Sequence, residues 1–147
     1  MTCRVYVAHN MFGLSPDVIM ARRNYVENRL NETGLEMAYI CNRKDFNKNL
    51  SPEAIVKTCL AAIDESQVFL MLDPEQPGWG KIWEMSYAWR KNIPILLIFN
   101  GKELNPWMYY FATDVFGNLE SAIAWIKHNV NENTRTHIMM SSCRNRG

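Results

Sequence analysis

The chain carries no excess of charge. Across 147 residues, 16 lysines and arginines stand against 15 acids, a formal net charge of +1. Gripping a nucleic-acid backbone takes a broad cationic field, so no nucleic-acid polymer is expected as partner. One small phosphorylated ligand, held by one or two local cations, stays within reach. Long apolar runs are missing too. No stretch approaches the roughly 20 residues that cross a bilayer, so no membrane partner is expected. The four cysteines, Cys3, Cys41, Cys59 and Cys143, contain no C-x-x-C pair, which removes the common zinc and dithiol signatures. The three histidines, His9, His128 and His137, share no ligand spacing, so no metal site is expected. Internal repeats and low-complexity segments are absent. The opening "MTCRVYVAHN" does not read as a secretory leader, and free thiols fit a reduced, cytoplasmic setting.

What is present is an alternation of strand and helix signals. The length suits one domain with a self-sufficient core. "RVYVA", residues 4 to 8, is β-branched and aromatic and predicts a strand. After the loop "HNMFGL", Ser15 and Pro16 form an N-cap and first-turn pair. The helix they open carries one apolar stripe of Val18, Ala21 and Tyr25 and another of Ile19, Val26 and Leu30, and stops at Gly34. "LEMAYI" predicts a second strand and "CNRKDFNKNL" a long polar loop. Ser51 and Pro52 open a second helix to about Glu65, with Ile55, Cys59, Ala62 and Ile63 facing inward. "QVFLML" and "IPILLIF" lack alternation and predict central strands covered on both faces. Between them lies a helix from about Gly80 to Arg90. An aromatic loop, "NPWMYYFATDVF", precedes a last helix over 119–128, and residues 131–147 read as a flexible tail beyond a domain of residues 1–130. The expectation is an α/β fold: a parallel sheet of four to five strands between two helical layers.

In such sheets ligands bind beyond the carboxyl ends of the strands, near a reversal of strand order. That edge collects "HNMFGL", "CNRKDFNKNL", "DPEQPGWG" and "NGKELNPWM". The third loop leads to the main candidate. Glu84 stands early in a helix, after Gly78 and Gly80, which let a ligand approach the backbone closely. Trp83 and Tyr87 are expected to make a partly apolar surround that leaves the carboxylate poorly solvated and nucleophilic. A carboxylate so placed suits displacement at a sugar carbon, where it stabilises an oxocarbenium-like transition state and captures it as an ester. Such chemistry needs neither metal nor organic cofactor. Asp73, at the strand end, is either a second acid or a turn former. His9 and Asn10 in the first loop are candidate substrate contacts. Arg22 and Arg23 are expected on a solvated helix face. Lys81 opposes the helix dipole slightly, which signals either a phosphate or carboxylate neighbour or nothing.

"RVYVAHNMF", "AIDESQVFLMLDPEQPGWGKIWEMSYAWRKNIPILLIF" and "ELNPWM" together resemble the nucleoside 2-deoxyribosyltransferase family, over residues 4 to about 127. That superfamily includes N-glycosidases of nucleoside 5'-monophosphates. The most specific part is Gly78, Gly80, Glu84, Ser86, Tyr87 and Ala88. The resemblance implies a flavodoxin-like three-layer sandwich, Glu84 as nucleophile, and Tyr6 beside it. It implies a nucleoside or nucleotide substrate and a homo-oligomer, at least a dimer, in which Asn105 reaches a neighbouring subunit's site. The chain departs from the pattern twice. Cys59 occupies a substrate-positioning aspartate's place, and Asp64, later on the helix, would substitute only in a different register. Gly78 stands where transferases often have a base-binding aspartate.

Two other readings follow from the same residues. "SQVFLML" followed by "GWGKIWEMSYAW" is also similar to the glutamate-bearing helix of Toll/interleukin-receptor-like domains that cleave NAD, without their serine loop or the cysteine after the tryptophan. Alternatively, the missing acid at position 59 marks a nucleotide-binding module without turnover.

Overall fold

The computed structural model describes residues 2–10, 13–38, 50–76 and 78–130. The elements run β1 (Arg4–Ala8), α1 (Pro16–Glu32), β2 (Glu36–Met37), α2 (Pro52–Asp64), β3 (Val68–Leu72), α3 (Trp79–Arg90), β4 (Ile95–Ile98), α4 (Pro106–Phe111), β5 (Asp114–Phe116) and α5 (Leu119–Asn129). All pairings are parallel, in the order β2-β1-β3-β4-β5. This is the flavodoxin-like order, and it reverses between β1 and β3.

The helices start where side chains satisfy otherwise orphaned N–H groups. Ser15 Oγ accepts from Val18 N at 3.3 Å, and Ser51 Oγ from Ala54 N at 3.1 Å. Asn105 Oδ1 accepts from Trp107 N at 2.9 Å, and Asn118 Oδ1 from Ser121 N at 2.8 Å. In the first three, proline follows at the opening helical position, where no N–H is needed.

Side-chain alternation along the strands splits the core into two layers. Tyr6, Ala8, Phe69, Met71, Ile95 and Leu97 face α2, α3 and α4. Val5, Val7, Val68, Leu70 and Leu96 face α1 and α5. β3 is buried along its whole length, as its unbroken apolar run requires.

Several expectations change. On α1 only the Ile19, Val26 and Leu30 stripe is buried; Val18 and Tyr25 point to solvent. Arg23, expected on a solvated face, is 6% exposed. The second strand is shorter than read, and residues 39–49 of it and its following loop lie outside the described residues. The aromatic segment after β4 is not a loop. It holds α4 and β5, the fifth strand. The tail, residues 131–147, lies outside the described residues, as does His137. No described helix is long and apolar enough to cross a membrane.

Candidate active site

Three elements bring one polar group each to a point beside the central strands. β1 supplies Tyr6, α2 supplies Cys59 and α3 supplies Glu84. The Tyr6 hydroxyl and the Cys59 thiol lie near the Glu84 carboxyl and pull its pKa down, while Glu84 and Cys59 in turn raise that of Tyr6. The Tyr6 ring is buried and stacked on Phe69, with centroids 5.4 Å apart at 15°. Its hydroxyl is thereby held in place by the sheet.

Glu84 is half-buried. Burial, which disfavours the charged form, pushes its carboxyl from an ordinary 4.5 up to about 7; donation from Tyr6 and Cys59 and the nearby Lys81 ammonium pull the other way. Burial also raises the Tyr6 phenol far above its usual range, and the Glu84 charge adds to that. Tyr6 therefore stays protonated and serves as a donor. Gly80 lies one turn before Glu84. Among the described residues, a Cβ there would meet Glu84 Oε1 at 3.9 Å, an ordinary van der Waals contact.

The surround differs from the one expected. Trp83 is 70% exposed and does not shield the acid. Tyr87 donates instead to Asp64, 3.0 Å from each carboxylate oxygen, and Lys91 closes the pair at 3.4 Å. Asp64 is thus committed to a clasp between α2 and α3 and does not replace the acid missing at position 59.

A second cluster lies next to the first. Asp73, the residue after β3, has φ 49°, a left-handed conformation that aspartate tolerates better than most residues. Its carboxylate pairs with Arg22. Its carbonyl accepts from the buried Lys81 Nζ at 2.7 Å and from Gln76 N at 3.0 Å. Lys81 senses both Asp73 and Glu84 and so lies between the two clusters. Burial lowers its pKa, and the Asp73 and Glu75 charges oppose that. Of the readings left open for Lys81, carboxylate neighbours are found, in Asp73, Glu75 and Glu84. His9 is buried with Nδ1 3.3 Å from the Asn10 carbonyl; burial and the Arg23 and Arg22 charges lower its pKa, against the carbonyl contact and Asp73.

Of the expected residues, Tyr6, Cys59, Gly80 and Glu84 converge. His9 and Asp73 fall in the adjoining cluster, with Asn10 next to His9. Asp73 both turns the chain and pairs with a cation. Gly78 begins α3 as a cap without a side-chain bond, 3.0 Å from Lys81 Cε by its would-be Cβ. Asn105 is exposed and caps α4. Arg22 and Lys81 were not among the expected site residues; the signal for Lys81 was a cation in the first turn of a helix with no capping side chain. Among the described residues no group of three or more histidines, cysteines or acids is arranged to hold a metal ion.

Neither a family model nor a curated protein matches the sequence. Solved structures do. The chain is similar to the CMP N-glycosidase BcmB of Clostridium botulinum, at 16% identity and a TM-score of 0.59, over 86% of this chain and 99% of that one. It is similar to the 2-deoxyribosyltransferase from Leishmania mexicana, at 18% identity and a TM-score of 0.64, over 87% and 99%. It is also similar to BlsM, solved in solution, at 19% identity and a TM-score of 0.64, over 99% and 95%. An all-parallel flavodoxin-like sandwich is thus the fold this chain shares with a CMP N-glycosidase, a 2-deoxyribosyltransferase and BlsM.

Proposed function

We propose that this protein cleaves the N-glycosidic bond of a (deoxy)nucleoside or nucleoside 5'-monophosphate, as a hydrolase or a transferase, and that it belongs among the nucleoside 2-deoxyribosyltransferase-like enzymes. The observation that carries this reading is the Glu84 carboxyl, partly withdrawn from water near the Tyr6 hydroxyl and the Cys59 thiol, with an oxygen 3.9 Å from where a Cβ on Gly80 would sit. The likeness to a CMP N-glycosidase and a 2-deoxyribosyltransferase supports the same chemistry.

In the first step a Glu84 oxygen attacks C1'. The C1'–N bond breaks, and the base leaves with the bonding pair and gains a proton. Desolvation strengthens the attraction between the anion and the developing oxocarbenium charge. Tyr6, fixed by its stack on Phe69, aims the carboxylate without adding charge. In the second step water or another base attacks C1' and Glu84 leaves as the carboxylate. Water gives a free sugar and base gives exchange. Tyr6, Cys59, Gly78, Gly80, His9 and Asn10 are the proposed substrate-side residues, and Asp73 assists from the adjoining cluster. Asn105 would act in a partner subunit's site, so the working form is a homo-oligomer.

The test measures base release from deoxynucleosides and their monophosphates, with and without an acceptor base, in wild type and Glu84→Gln. The expected loss is on the order of a thousandfold or more, as for removal of a covalent nucleophile. Equal activity in the two proteins would falsify the role of Glu84.

A further inference from the structure

Lys81 is buried, yet it stands in the first turn of α3, where a cation works against the helix dipole. We propose that Lys81 is a positioning residue: its ammonium ties the start of α3 to the end of β3 and so sets where Glu84, one turn further along the same helix, presents its carboxylate. Gly78 is then glycine because a side chain there would run into the Lys81 stem. The inference rests on the reading of Glu84 as the nucleophile.

Lys81 Nζ donates to the Asp73 carbonyl at 2.7 Å, and the same carbonyl accepts from Gln76 N at 3.0 Å. Asp73 is held in turn: Arg22 of α1, in the opposite helical layer, pairs with its carboxylate. One residue thereby joins α1, the end of β3 and the start of α3. Such a tether suits α3, whose cap, Gly78, offers no side chain to the first N–H groups. Residues three apart on a helix lie on one side of it, so what fixes Lys81 also fixes the direction of Glu84. The charges of Asp73, Glu75 and Glu84 stabilise the ammonium against its burial. Gly78 has φ 177°, an extended backbone that any residue adopts, so its φ does not call for glycine. The space does. A Cβ at position 78 would lie 3.0 Å from Lys81 Cε, and 3.8 and 3.9 Å from Cγ and Cδ. The first of these is closer than carbon atoms comfortably pack. Moving the stem aside would draw the ammonium off the Asp73 carbonyl.

The experiment compares Lys81→Met, Lys81→Ala, Gly78→Ala and the double variant Gly78→Ala with Lys81→Ala against wild type. Methionine keeps an unbranched stem and removes the ammonium. Amide hydrogen exchange over residues 78–84 reads the tether, with α5 as internal reference. Exchange there should rise about tenfold or more in Lys81→Met, while α5 stays as in wild type. Gly78→Ala should do the same in the wild-type background. It should add nothing in Lys81→Ala, where the stem it strikes is gone. Base release from deoxynucleosides and their monophosphates is measured at pH 8.5, where the Glu84 carboxyl is ionised. In Lys81→Met kcat should fall about tenfold or more through misplacement of Glu84, with KM within about twofold for both substrate classes. A lysine with a structural role alone would change the exchange and leave kcat as it was, and that result overturns the proposal. Unchanged exchange over residues 78–84 overturns it too. So does a KM that rises for monophosphates alone, which would make Lys81 a ligand contact. Should Lys81→Met fail to fold, Lys81→Gln, with a shorter polar side chain, carries the same measurements. If wild type releases no base from either class, the reaction reading fails instead; the exchange cycle then still decides, for or against, whether Lys81 seats α3.

Discussion

A carboxyl that titrates near 7 is half ionised at neutral pH, and a nucleophile must be ionised to attack. The acid limb of kcat/KM should therefore fall near pH 7, set by the burial of Glu84, rather than near the ordinary 4.5. A flat profile from pH 5 to 8 would show that this group does not govern turnover. The same shift has a consequence for stability. The folded-state value lies above the unfolded one, so the folded protein binds the proton more tightly. The stabilising contribution is complete below about 4.5 and is lost as pH rises to about 7. At about 1.4 kcal/mol per unit, the loss is on the order of 2–3 kcal/mol at pH 8, with partial exposure reducing it. Glu84→Gln cannot ionise. It should exceed wild type in urea stability by up to that amount at pH 8 and match it near pH 4.5. Parallel stabilities at both pH values would remove the case that the charge is poorly solvated.

At the scale of elements, Gly80 lies near the start of α3 and one turn before the acid. Gly80→Ala should stabilise the helix by about 0.5–1 kcal/mol. Its methyl group, 3.9 Å from Glu84 Oε1, would crowd the side from which, in the proposed reaction, the sugar reaches the acid. The expected result is a higher melting temperature with kcat/KM lower by about tenfold or more, the latter an estimate of steric exclusion at a reacting atom. A gain in both would place the substrate elsewhere. This helix also shows what sequence reasoning reached. The unbroken apolar runs identified β3 and β4 as central strands, and Ser-Pro pairs marked α1 and α2. The Asn105-Pro106 pair has the same form and does open a helix. It was obscured because "WMYYF" mixes buried Met108 with exposed Trp107, Tyr109 and Tyr110, so the apolar period is lost. Glu84 was legible from glycines and position at a strand end. Its companions were not legible from spacing: Tyr6 and Cys59 entered as site residues through a family resemblance, because residues 6, 59 and 84 meet only after the sheet is assembled. The neighbours Trp83 and Tyr87 were misread for a related reason. Adjacency in a helix does not mean a shared face: i±1 points about 100° away, and a partner on another element can claim the ring, as Asp64 claims Tyr87.

Over the whole molecule, the layer that carries Glu84 also carries the bulk of the exposed aromatic surface. Trp79 (80% exposed) and Trp83 (70%) stand on α3, and Trp107 (70%) and Tyr110 (64%) on α4, a helix that packs against α3. Ring contacts run from Trp107 through Phe111 to Tyr110 and Trp89, so the α4 part of the surface is laid on a packed aromatic base. Indoles at this exposure are costly to leave in water: burying one recovers on the order of 2 kcal/mol or more at about 25 cal/mol per Å². A second copy of the chain is the partner that the homo-oligomer reading supplies. Trp83→Glu with Trp107→Glu should place like charges on both halves of a self-complementary face. Wild type should sediment as a dimer or larger across the micromolar range and the double variant as a monomer, with an unchanged far-ultraviolet spectrum. The catalytic consequence separates two uses of the face. If Asn105 works in the partner's site, turnover should fall with the loss of assembly, and Asn105→Asp, which retains the α4 cap, should lower turnover while the dimer persists. A monomeric wild type that is fully active would leave these tryptophans without the role assigned to them.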